Sequence, residues 1–467
     1  MAIFLLSLLE KCNLNCKHCR SEKKGRMLSV ADIKKIIGKV KASHASVNLT
    51  GGEPLMHPQI EDIIRLFKKS GIKVSLSTNG TFLTNNKAQR LKSVGLDAIN
   101  ISLDSLDEKF HNSIRNSPTS FKDALNAIST AVEAGLNTRI ASLYSKQNIS
   151  NIVPMALFGM EKGCSAVSFR KILPVGRAEE NMLVNKMEDT LFLKNCYTAL
   201  SLLYPYFNLF IEHPLDPYIT SRIFNKKADY IGCGAFKHIF EIKTDGSVFA
   251  CPALPLKIGN IFTNNLSKIA KNREGIINIE KLRGICKKCD LKNVCGGCRA
   301  LAYYVFKEPN EEDVFCIRKE AENIIDEVPI LEEKTLLLAD EIEHIASLTE
   351  DNLKIHLEKS GIKWDRTILE NDLRKKSCYW LIRKMGKIIG YVWFENGEET
   401  RLKAIILDKT LRKQGIGSLL LERLRFASKG KQLIAFVQKS NKISQKFFEA
   451  NNYKRIGKEK VGFIYRR

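Results

Sequence analysis

Short apolar runs alternate with amphipathic stretches along about the first 175 residues of the chain, and this alternation limits the fold more than any other feature. Each apolar run has the length of a buried strand, and each stretch between two runs has the 3.6-residue period of a helix. Strands that are joined through helices pair in parallel, because a long crossover is needed to bring the chain back. The six predicted strands cover residues 3–9, 46–50, 72–78, 98–103, 139–145 and 166–172.

This alternation predicts an α/β fold with a parallel sheet, either open or closed as a partial barrel. Ligands of such sheets bind at the C-terminal ends of the strands, so residues that follow a strand are the first candidates for a site. The helices predicted between the strands cover residues 29–43, 60–71, 86–95, 121–135 and 151–163.

The chain of 467 residues is too long for one ordinary core and is expected to form two to four domains. The middle, from about 178 to 320, shows little periodicity and is rich in cysteine. A charged segment at 317–334 predicts a helix and a short linker, and a new alternation of helices and strands follows it. We therefore expect domains at 1–180, 181–325 and 332–467.

Composition bounds the class of protein and its partners. Hydrophobic residues make up 44% and charged residues 27% of the chain, which are globular values that exclude wholesale disorder. The apolar run at 3–9 is too short to span a bilayer and no basic segment precedes it, so we expect a cytoplasmic protein. The formal charge of +24 favours an anionic partner, such as a nucleic acid or an acidic peptide, unless the charge is spread over solvated faces.

Three cysteines, Cys12, Cys16 and Cys19, closely follow the first predicted strand. Their spacing alone is compatible with disulfides, a zinc site, an iron–sulfur cluster or coincidental packing. A cytoplasmic location disfavours disulfides, because that compartment keeps thiols reduced. Thiolates are soft ligands that suit zinc or iron–sulfur clusters, and three of them leave one iron of a four-iron cluster open to an external ligand.

The segment Cys12-Asn-Leu-Asn-Cys16-Lys-His-Cys19 resembles the C-x-x-x-C-x-x-C signature of the radical SAM superfamily. Polar residues after the next strands also resemble this family, whose members use them to contact S-adenosylmethionine. By the resemblance, the GGEP segment meets the cofactor's amino group, Ser102 and Asp104 contact its ribose, and Arg139 reaches its carboxylate. Glycines allow close approach, and the Glu53 carboxylate suits a cationic ligand. The candidate cofactor-binding residues are Gly51, Gly52, Glu53, Pro54, Ser77, Asn79, Ser102, Asp104 and Arg139.

The resemblance covers about residues 1–180 and implies a chemistry. A reduced 4Fe–4S cluster on Cys12, Cys16 and Cys19 would donate an electron to bound S-adenosylmethionine. The resulting 5′-deoxyadenosyl radical would abstract hydrogen from an unactivated C–H bond of the substrate. The protein aims this reaction and excludes water. We interpret His18, inside the cysteine loop, as a residue that shields the cluster rather than as a ligand.

Seven further cysteines resemble the SPASM extension of radical SAM enzymes, which holds two auxiliary 4Fe–4S clusters. Paired C-x-x-C segments are equally good zinc ligands, and zinc is the alternative. The resemblance assigns one cluster to Cys286, Cys289, Cys295 and Cys316. It assigns the other cluster, with an open iron or a non-cysteine fourth ligand, to Cys233, Cys251 and Cys298.

Two features depart from the SPASM pattern. Two residues separate Cys295 from Cys298, where the family usually has three. Pro252 follows Cys251, so the acidic base that sulfatase-maturing relatives have at that point does not carry over. The three remaining cysteines are interpreted as small buried hydrophobes: Cys164, Cys196 and Cys378.

Residues 402–424 predict a strand, a tight glycine-containing turn and an amphipathic helix. The backbone N–H groups of such a turn, with the helix N-terminus behind them, bind anions such as pyrophosphate. The turn resembles the R/Q-x-x-G-x-G/A loop of GNAT-type acetyltransferases, and this resemblance covers about 332–467. The implied acetyl-CoA-binding residues are Leu407, Arg412, Lys413, Gln414, Gly415, Ile416, Gly417, Ser418 and Asn441.

Acetyl transfer in many GNAT enzymes depends on a tyrosine that protonates the departing thiolate of coenzyme A. Phe448 stands at the matching position here and has no proton to give. Either Tyr453 or a water replaces the tyrosine, or the domain binds an acyl-CoA without turning it over.

The fold expected from all three resemblances is α/β: a partial (βα)6 TIM-like barrel, a cysteine-rich SPASM extension and a C-terminal α/β GNAT domain. The leading hypothesis is an enzyme that matures or cross-links a peptide, receives electrons from a flavodoxin or ferredoxin, and acetylates an amine of the same substrate. One alternative is a tRNA-modifying enzyme with the elongator-like order of radical SAM and GNAT domains, which would explain the positive charge. Small-molecule biosynthesis and a non-enzymatic cluster-bearing sensor are the others.

Overall fold

The computed structural model describes residues 2–21, 25–40, 45–178, 182–228, 231–459 and 461–467. The chain forms two compact units. The first unit comprises Met1–Leu193 and Leu209–Glu322, and the second unit comprises Lys194–Asn208 and Asn323–Arg467. The chain therefore passes between the units more than once.

The first unit is built on a ten-stranded sheet in the order β10-β9-β8-β1-β2-β3-β4-β5-β6-β7. Strands β1 to β6 pair in parallel, as do β1 and β8, whereas β9 pairs antiparallel with both β8 and β10. The six strands predicted from the sequence are thereby confirmed. The strands are β1 Ile3–Leu9, β2 Ser46–Gly51, β3 Lys73–Thr78, β4 Ala98–Ser102, β5 Thr138–Tyr144, β6 Ala166–Lys171, β7 Asn208–Glu212, β8 Ile239–Ile242, β9 Ser247–Phe249 and β10 Lys257–Asn260.

Helices follow the parallel strands and cover the outer face of the sheet. Alternate residues of β1 point to opposite faces. Phe4, Leu6 and Leu8 are buried on one face, while Leu5 and Ser7 line the cavity on the other. The helices are α1 Val30–Val40, α2 Ile60–Lys69, α3 Asn85–Ser93, α4 Glu108–Arg115, α5 Ser120–Glu133, α6 Ile152–Glu161, α7 Lys186–Leu203, α8 Asp216–Ile223, α9 Leu266–Ile276, α10 Gly284–Lys288, α11 Arg299–Phe306 and α12 Arg318–Glu327.

The helix predictions are confirmed, with two differences. The helix predicted over 29–43 is formed as far as Val40, and residues 41–43 lie outside the described residues. Helix α4 was not predicted, because its apolar stripe is narrow; its start is marked by Asp107, whose side chain accepts a hydrogen bond from the Phe110 N–H.

The second unit contains a seven-stranded sheet in the order β11-β12-β13-β14-β15-β17-β16. Its core is formed where α13 packs on the sheet, around Ile345, Tyr379 and Tyr391. The predicted linker at the end of 317–334 is wrong, because residues 330–334 form a strand that pairs with β12. The elements are β11 Ile330–Lys334, α13 Ala339–Lys359, α14 Arg366–Leu373, β12 Cys378–Lys384, β13 Lys387–Asn396, β14 Thr400–Leu407, α15 Ile416–Ala427, β15 Leu433–Gln438, α16 Lys442–Ala450, β16 Lys454–Lys458 and β17 Gly462–Arg466.

The end of α7 belongs to the second unit, although the helix begins in the first. Arg423 holds it there: one guanidinium N–H donates to the Leu202 carbonyl at 2.9 Å, and another donates to Glu333 at 2.7 Å. The guanidinium also lies over the Trp380 ring, 5.1 Å from its centroid. Arg423 is 3% exposed, so this anchor is part of the core.

Among the described residues, no helix combines the length and the apolarity needed to cross a bilayer.

Candidate cluster and cofactor sites

The first unit encloses a cavity of about 2090 Å³. Sites for small ligands usually measure about 300–1,000 Å³, so this cavity has room for a cofactor together with a substantial substrate. Its walls include the inner face of the parallel strands and the segments that carry the cysteines. All ten cysteines predicted as cluster ligands line it: Cys12, Cys16, Cys19, Cys233, Cys251, Cys286, Cys289, Cys295, Cys298 and Cys316.

Polar side chains form a row across neighbouring strands on the inner face of the sheet. Ser77 pairs with Asn100 and Asn100 pairs with Arg139, while Ser7 pairs with Thr50 in the neighbouring strands. Residues directly opposite each other in paired strands point to the same side. Ser77 and Arg139, predicted separately as cofactor contacts, are therefore brought to one wall of the cavity, which Ser102 also lines.

Two asparagines in this wall were missed by sequence reasoning. The Asn48 amide donates to the Ser77 hydroxyl at 3.0 Å, and the Ser75 hydroxyl donates to the Asn48 carbonyl oxygen at 3.2 Å. Asn100 donates to the same Ser77 hydroxyl at 3.4 Å. The available signal was a polar residue in the middle of an otherwise apolar strand, since such a residue needs polar partners.

The GGEP turn packs tightly against the chain that leads into the cysteine loop. The Gly52 N–H donates to the Leu9 carbonyl at 2.6 Å, and the Glu53 N–H donates to the Lys11 carbonyl at 2.9 Å. A Cβ atom on Gly52 would lie 1.9 Å from the Lys11 oxygen, and one on Gly51 would lie 2.4 Å from the Leu9 oxygen. The glycines are thus needed for contact between two backbone segments.

The Glu53 carboxylate lies at the cavity wall and is also bonded within the chain, so its contact with a cationic ligand stays a prediction. Glu53 is 1% exposed, and its carboxylate accepts from the Thr78 hydroxyl at 2.7 Å and from the Asn79 and Leu55 N–H groups at 2.8 and 3.0 Å. Burial raises its pKa, although these donors oppose the rise. Glu53 therefore ties the GGEP turn to the end of β3, and Pro54 is buried at the start of the following turn.

Asp104 does not line the cavity, which corrects its prediction as a ribose contact. It is fully buried, and its carboxylate accepts two hydrogen bonds from Arg115, at 2.7 and 3.0 Å. Burial alone would raise the Asp104 pKa, but the Arg115 cation outweighs it and holds the pKa below its ordinary value. Arg115 also donates to the Cys16 sulfur, so sequence reasoning missed a residue that touches a predicted ligand.

The cysteine loop, residues 12–19, is held in shape by its surroundings. The Leu14 N–H donates to the Cys12 sulfur at 3.4 Å. The segment 174–178, noted in the sequence as family-like, packs on the loop: the Arg177 N–H donates to the Cys19 carbonyl at 3.1 Å. A Cβ on Gly176 would lie 2.5 Å from that same oxygen, so glycine is required there.

His18 within the loop has no chemistry assigned to it, and the structure agrees with a shielding role. Burial lowers the pKa of His18 to about 4, with the nearby Arg115 cation acting in the same direction. The ring is therefore neutral at neutral pH.

Asn79, at the end of β3, donates to the Asn13 side chain at 2.9 Å and so connects to the same loop.

Four cysteines of the middle region form one group, Cys286, Cys289, Cys295 and Cys316. Burial raises the pKa of the Cys295 thiol well above its ordinary value, and the Cys316 and Cys286 sulfurs raise it further. Cys289 and Cys286 likewise add to the effect of burial in raising the pKa of Cys316. The four residues assigned together by resemblance are thus brought together.

A second group contains Cys233, Cys251 and Cys298. Burial raises the pKa of Cys251 to about 11, with a contribution from Cys233, and both of these residues raise the pKa of Cys298. The two groups are neighbours, because the Cys233 N–H donates to the Cys295 carbonyl at 3.1 Å. The shortened Cys295–Cys298 spacing does not prevent this arrangement, since Gly296 and Gly297 both adopt the left-handed conformation.

In the second unit, β14 and β15 pair only over Thr400–Leu402 and Leu433–Ala435 and then diverge. The predicted pyrophosphate loop follows β14 at the open end of this divergence. Gly415 has φ +76° and precedes α15, whose first turn has no side-chain cap. Uncapped N–H groups at a helix N-terminus attract anions.

The remaining residues predicted for this loop follow its path. Leu407 ends β14, Lys413 is left-handed with φ +60°, and the Gln414 side chain donates to the Thr410 carbonyl at 2.7 Å. A Cβ on Gly417 would lie 3.0 Å from the Phe447 ring, so the loop packs closely there. Arg412 and Lys413 are exposed, Ser418 is half-buried, and Ile416 points into the core.

Comparison with protein families identifies a domain in each unit. The model of the radical SAM superfamily matches residues 6–158, and that of the acetyltransferase (GNAT) family matches residues 345–453. The chain carries a radical SAM domain and a GNAT domain. The radical SAM and GNAT resemblances found in the sequence are confirmed.

Relatives of the radical SAM part include enzymes of two kinds. The AdoMet-dependent heme synthase of Methanosarcina barkeri is 28% identical over 66% of this chain and 93% of its own length. The antilisterial bacteriocin subtilosin biosynthesis protein AlbA of Bacillus subtilis is 27% identical over 62% of this chain and 65% of its own length.

Solved structures show the same fold. Streptococcus suis SuiB bound to S-adenosylmethionine superposes with a TM-score of 0.57, at 20% identity over 68% of this chain and 77% of SuiB. The structure of anSMEcpe with bound AdoMet gives 0.56, at 20% identity over 69% of this chain and 91% of that one. The first unit therefore has the fold of SPASM-type radical SAM enzymes.

The residues around the radical SAM site fit S-adenosylmethionine and a cluster. The buried Nε of Arg139 has no hydrogen-bond partner among the described residues, and its guanidinium stacks 5.5 Å from the Phe210 ring centroid. Within the part of the chain that the structure describes, Arg139 forms no ion pair, and a cation of this kind in a cavity wall suits the carboxylate of the cofactor.

The predicted ligand cysteines share a pattern of backbone donors that suits thiolate ligands. The N–H two residues ahead donates to the sulfur of Cys12, Cys19, Cys251 and Cys295, at 3.3 or 3.4 Å. Such donors stabilise the thiolate and tune a bound cluster. Among the described residues, no three of these side chains lie close enough to hold a single metal ion, so the groups are looser than a mononuclear site.

The three cysteines interpreted as structural differ from this pattern. Burial is the sole cause that raises the pKa of Cys164, to about 12. Cys196 is fully buried, as predicted. Cys378 is only partly buried and accepts a 3.7 Å contact from the Asn396 amide, so its interpretation as a buried hydrophobe is wrong.

Two residues of the GNAT domain also have structural roles. Asn441 is 7% exposed and caps α16, since its side chain accepts from the Ser444 N–H at 3.0 Å, and its contact with acetyl-CoA stays a prediction. Tyr453 is 2% exposed and packs its ring against Phe448, and its hydroxyl has no hydrogen-bond partner among the described residues, so its role as proton donor also stays a prediction. Burial raises the pKa of Tyr453 well above its ordinary value.

Proposed function

We propose that the chain is a radical SAM/SPASM enzyme that modifies a peptide and carries a GNAT domain that binds acetyl-CoA. The observation that supports this most is the cavity of about 2090 Å³, which all ten predicted ligand cysteines line. A volume of at least twice that of an ordinary small-ligand site leaves space beside S-adenosylmethionine for a peptide segment.

The residues of the cavity divide into a radical-generating part and an auxiliary part. Cys12, Cys16 and Cys19 would hold the first 4Fe–4S cluster, and Arg139 would bind the S-adenosylmethionine carboxylate. When bound, this pair of cofactors supplies a 5′-deoxyadenosyl radical that abstracts hydrogen from the substrate. The chain holds the segments around the site in place: Glu53 fixes the GGEP turn, and Arg115 holds the Cys16 side of the cysteine loop.

The two further cysteine groups would hold two auxiliary 4Fe–4S clusters. They line the same cavity as the radical-generating part, so they are placed to accept an electron from the substrate or to anchor it. A flavodoxin or ferredoxin would reduce the first cluster.

A peptide substrate is also supported by the relatives. SuiB has been solved bound to the precursor peptide SuiA, and anSMEcpe bound to peptides. AlbA is named for bacteriocin biosynthesis. These proteins share the fold with this chain, and a peptide is the substrate type that they have in common.

A small-molecule substrate is the second candidate. The heme synthases support it, because the chain matches 93% of the length of the Methanosarcina barkeri enzyme. In that case the large cavity would enclose a bulky cofactor-like molecule in place of a peptide.

The GNAT domain would bind acetyl-CoA between the diverging strands β14 and β15, with its pyrophosphate on the loop around Gly415. Phe448 supplies no hydroxyl at the usual proton-donating position, and the buried Tyr453 packs directly against it. If the domain acetylates an amine, Tyr453 or a water would protonate the thiolate that leaves.

Iron, sulfide and zinc per chain, measured on anaerobically reconstituted protein, test the cluster assignment first. Three clusters give about twelve irons and little zinc. The variant with Cys12, Cys16 and Cys19 changed to alanine should retain about eight irons and form no 5′-deoxyadenosine. About four irons with stoichiometric zinc in the unaltered protein would contradict the auxiliary clusters.

The substrate class is tested with a fractionated extract of the source organism. Dithionite-reduced enzyme is incubated with each fraction, and 5′-deoxyadenosine formation above the uncoupled rate identifies the active one. Protease treatment of that fraction should abolish the stimulation if the substrate is a peptide. Stimulation that survives protease would establish the small-molecule candidate instead.

A further inference from the structure

Arg299 is a fully buried arginine at the start of α11, directly after Cys298. Its guanidinium donates to the Pro309 and Glu311 carbonyls, at 3.0 and 2.6 Å, and its Nε donates to the Gly297 carbonyl at 3.3 Å. These contacts fix the position of the group but bring no negative charge.

No carboxylate lies within ion-pair distance of Arg299 among the residues that the structure describes. A buried cation without an anion is costly, so a counter-charge is expected nearby. The anions at hand are the thiolates. The Nη2 of Arg299 lies 3.6 Å from the sulfur of Cys286, a member of the group of four.

The same residue also reaches the group of three. Arg299 directly follows Cys298, its backbone N–H donates to the Cys233 sulfur, and its guanidinium lies 5.9 Å from the centroid of the Phe236 ring, three residues after Cys233. Gly297 makes the approach to the group of four feasible, because a Cβ there would lie 2.4 Å from the Arg299 Nη2 and 3.2 Å from the Cys286 sulfur. Gly297 is thus explained by the arginine that lies beside it, whereas a Cβ on Gly296 would lie 2.5 Å from the Phe236 ring.

We propose that Arg299 is a shared counter-cation of the two auxiliary cysteine groups and raises the reduction potential of both of the clusters proposed above. Reduction adds one negative charge to a cluster, and a fixed cation in a low-dielectric interior stabilises the more negative state. Arg299 is a positioning residue that acts through the cysteine ligands. This inference rests on the auxiliary clusters of the proposed function.

Asp313 is the corresponding negative group. It is 6% exposed, its carboxylate accepts from the Cys298 N–H at 2.7 Å, and its own N–H donates to the Cys286 sulfur at 3.4 Å, so it touches a member of each group. The same argument therefore predicts that Asp313 lowers both potentials.

The test is an EPR-monitored redox titration of the reconstituted full-length protein. Arg299→Gln should lower the midpoint potentials of both auxiliary clusters and leave that of the first cluster unchanged, and Arg299→Lys should lower them less. Asp313→Asn should raise both. The signals are assigned with Cys251→Ala and Cys289→Ala, which each disrupt one group.

Arg273→Gln is the matched control. Arg273 is also buried in the first unit, but its guanidinium lies over the Phe240 ring at 4.5 Å and no cysteine is among the groups that affect its pKa. This variant should leave all three potentials unchanged.

Iron and sulfide content give a second readout if Arg299→Gln assembles poorly. A shared counter-cation predicts that both auxiliary clusters are lost together. A shift or loss confined to one auxiliary cluster, or an equal shift of all three, would overturn the proposal. Four irons in the unaltered protein would instead refute the auxiliary clusters themselves.

Discussion

Gly52 makes the tightest backbone approach near the cysteine loop, and its substitution should be far more severe than its size suggests. A Cβ would lie 1.9 Å from the Lys11 oxygen, so Gly52→Ala has to displace the chain that leads into Cys12. We expect loss of about four irons per chain and of all 5′-deoxyadenosine formation.

Gly38→Ala is the control for this variant. Gly38 is an exposed residue of α1, and a Cβ there has nothing within 4 Å. Alanine in a helix interior is favoured over glycine by about 0.5–1 kcal/mol, so this variant should be slightly more stable and fully loaded with iron. Full iron content in Gly52→Ala would show that the turn is not needed for the cluster.

His111 predicts a pH dependence of stability. It is 1% exposed, its Nδ1 accepts from the Asp104 N–H, and burial lowers its pKa to about 4. Because the unfolded chain binds a proton at an ordinary pKa of about 6.5, stability falls as the pH drops from about 6.5 towards 4. In the unaltered protein, this imidazole should make the free energy of unfolding about 2 kcal/mol lower at pH 5 than at pH 7.5, and His111→Asn should remove that contribution.

Urea unfolding at the two pH values measures this difference. His344, which is exposed on α13, supplies the control. His344→Asn should leave the pH dependence as it is in the unaltered protein. If His111→Asn has the same pH dependence of stability as the unaltered protein, the buried imidazole is not the cause of that dependence.

At the residue level, sequence predicted positions better than roles. Glu53 and Asp104 both follow strand ends, as expected, but the Glu53 carboxylate also accepts from Thr78 within the chain, and the Asp104 carboxylate is buried against Arg115. Sequence spacing predicts where a residue lies along a strand. It does not predict which buried donor will form a hydrogen bond with that residue's side chain. Arg115 was missed because an arginine on a short helix has no local pattern that links it to a cysteine far away in sequence.

At the level of elements, the loop before α15 is the sharpest test of the GNAT domain. Gly415 has φ +76°, which costs other residues about 1–2 kcal/mol. Gly415→Ala should therefore weaken acetyl-CoA binding about tenfold in calorimetric titration.

Gly397, in the turn between β13 and β14, is the matched position. A Cβ there would lie 3.7 Å from the nearest oxygen, and Gly397→Ala should bind acetyl-CoA normally. If the two variants bind acetyl-CoA with equal affinity, the loop around Gly415 is not part of the binding site.

The strong periodic elements were predictable, and the weak ones were not. Strands β1 to β6 each have a clear apolar run, whereas three of the five residues of β11, Ile-Leu-Glu-Glu-Lys, are charged, and this strand forms because it pairs with β12. Pairing of that kind depends on tertiary contact, which sequence patterns do not record.

For the whole molecule, Arg423 should control the stability of the second unit. Arg423→Met removes the donors to the Leu202 carbonyl and to Glu333, and we expect a loss of about 3 kcal/mol. The measurement is urea unfolding followed by tryptophan fluorescence, because the three tryptophans, at 364, 380 and 393, all belong to this unit.

Arg425→Met is the neighbouring control. Arg425 is partly exposed and pairs with Glu422 within the same helix, so its loss should cost less than about 1 kcal/mol. Equal effects of the two variants would mean that the end of α7 adds nothing to the second unit.

The order of domains was readable from motifs, but the path of the chain was not. The motifs lie within continuous stretches, whereas the second unit takes residues 194–208 from the middle of the chain. Nothing in the local sequence of α7 marks the residue at which its packing partners change.

This path has a consequence for synthesis on the ribosome. Residues 194–208 emerge about 115 residues before Asn323, where the rest of their unit begins, which corresponds to roughly ten seconds of translation. Leu202, Leu203 and Phe207 are almost fully buried in the finished protein, so during this interval their apolar surface has no permanent cover. The yield of correctly assembled protein should therefore depend on how fast residues 209–322 are translated and on chaperones that bind the nascent chain.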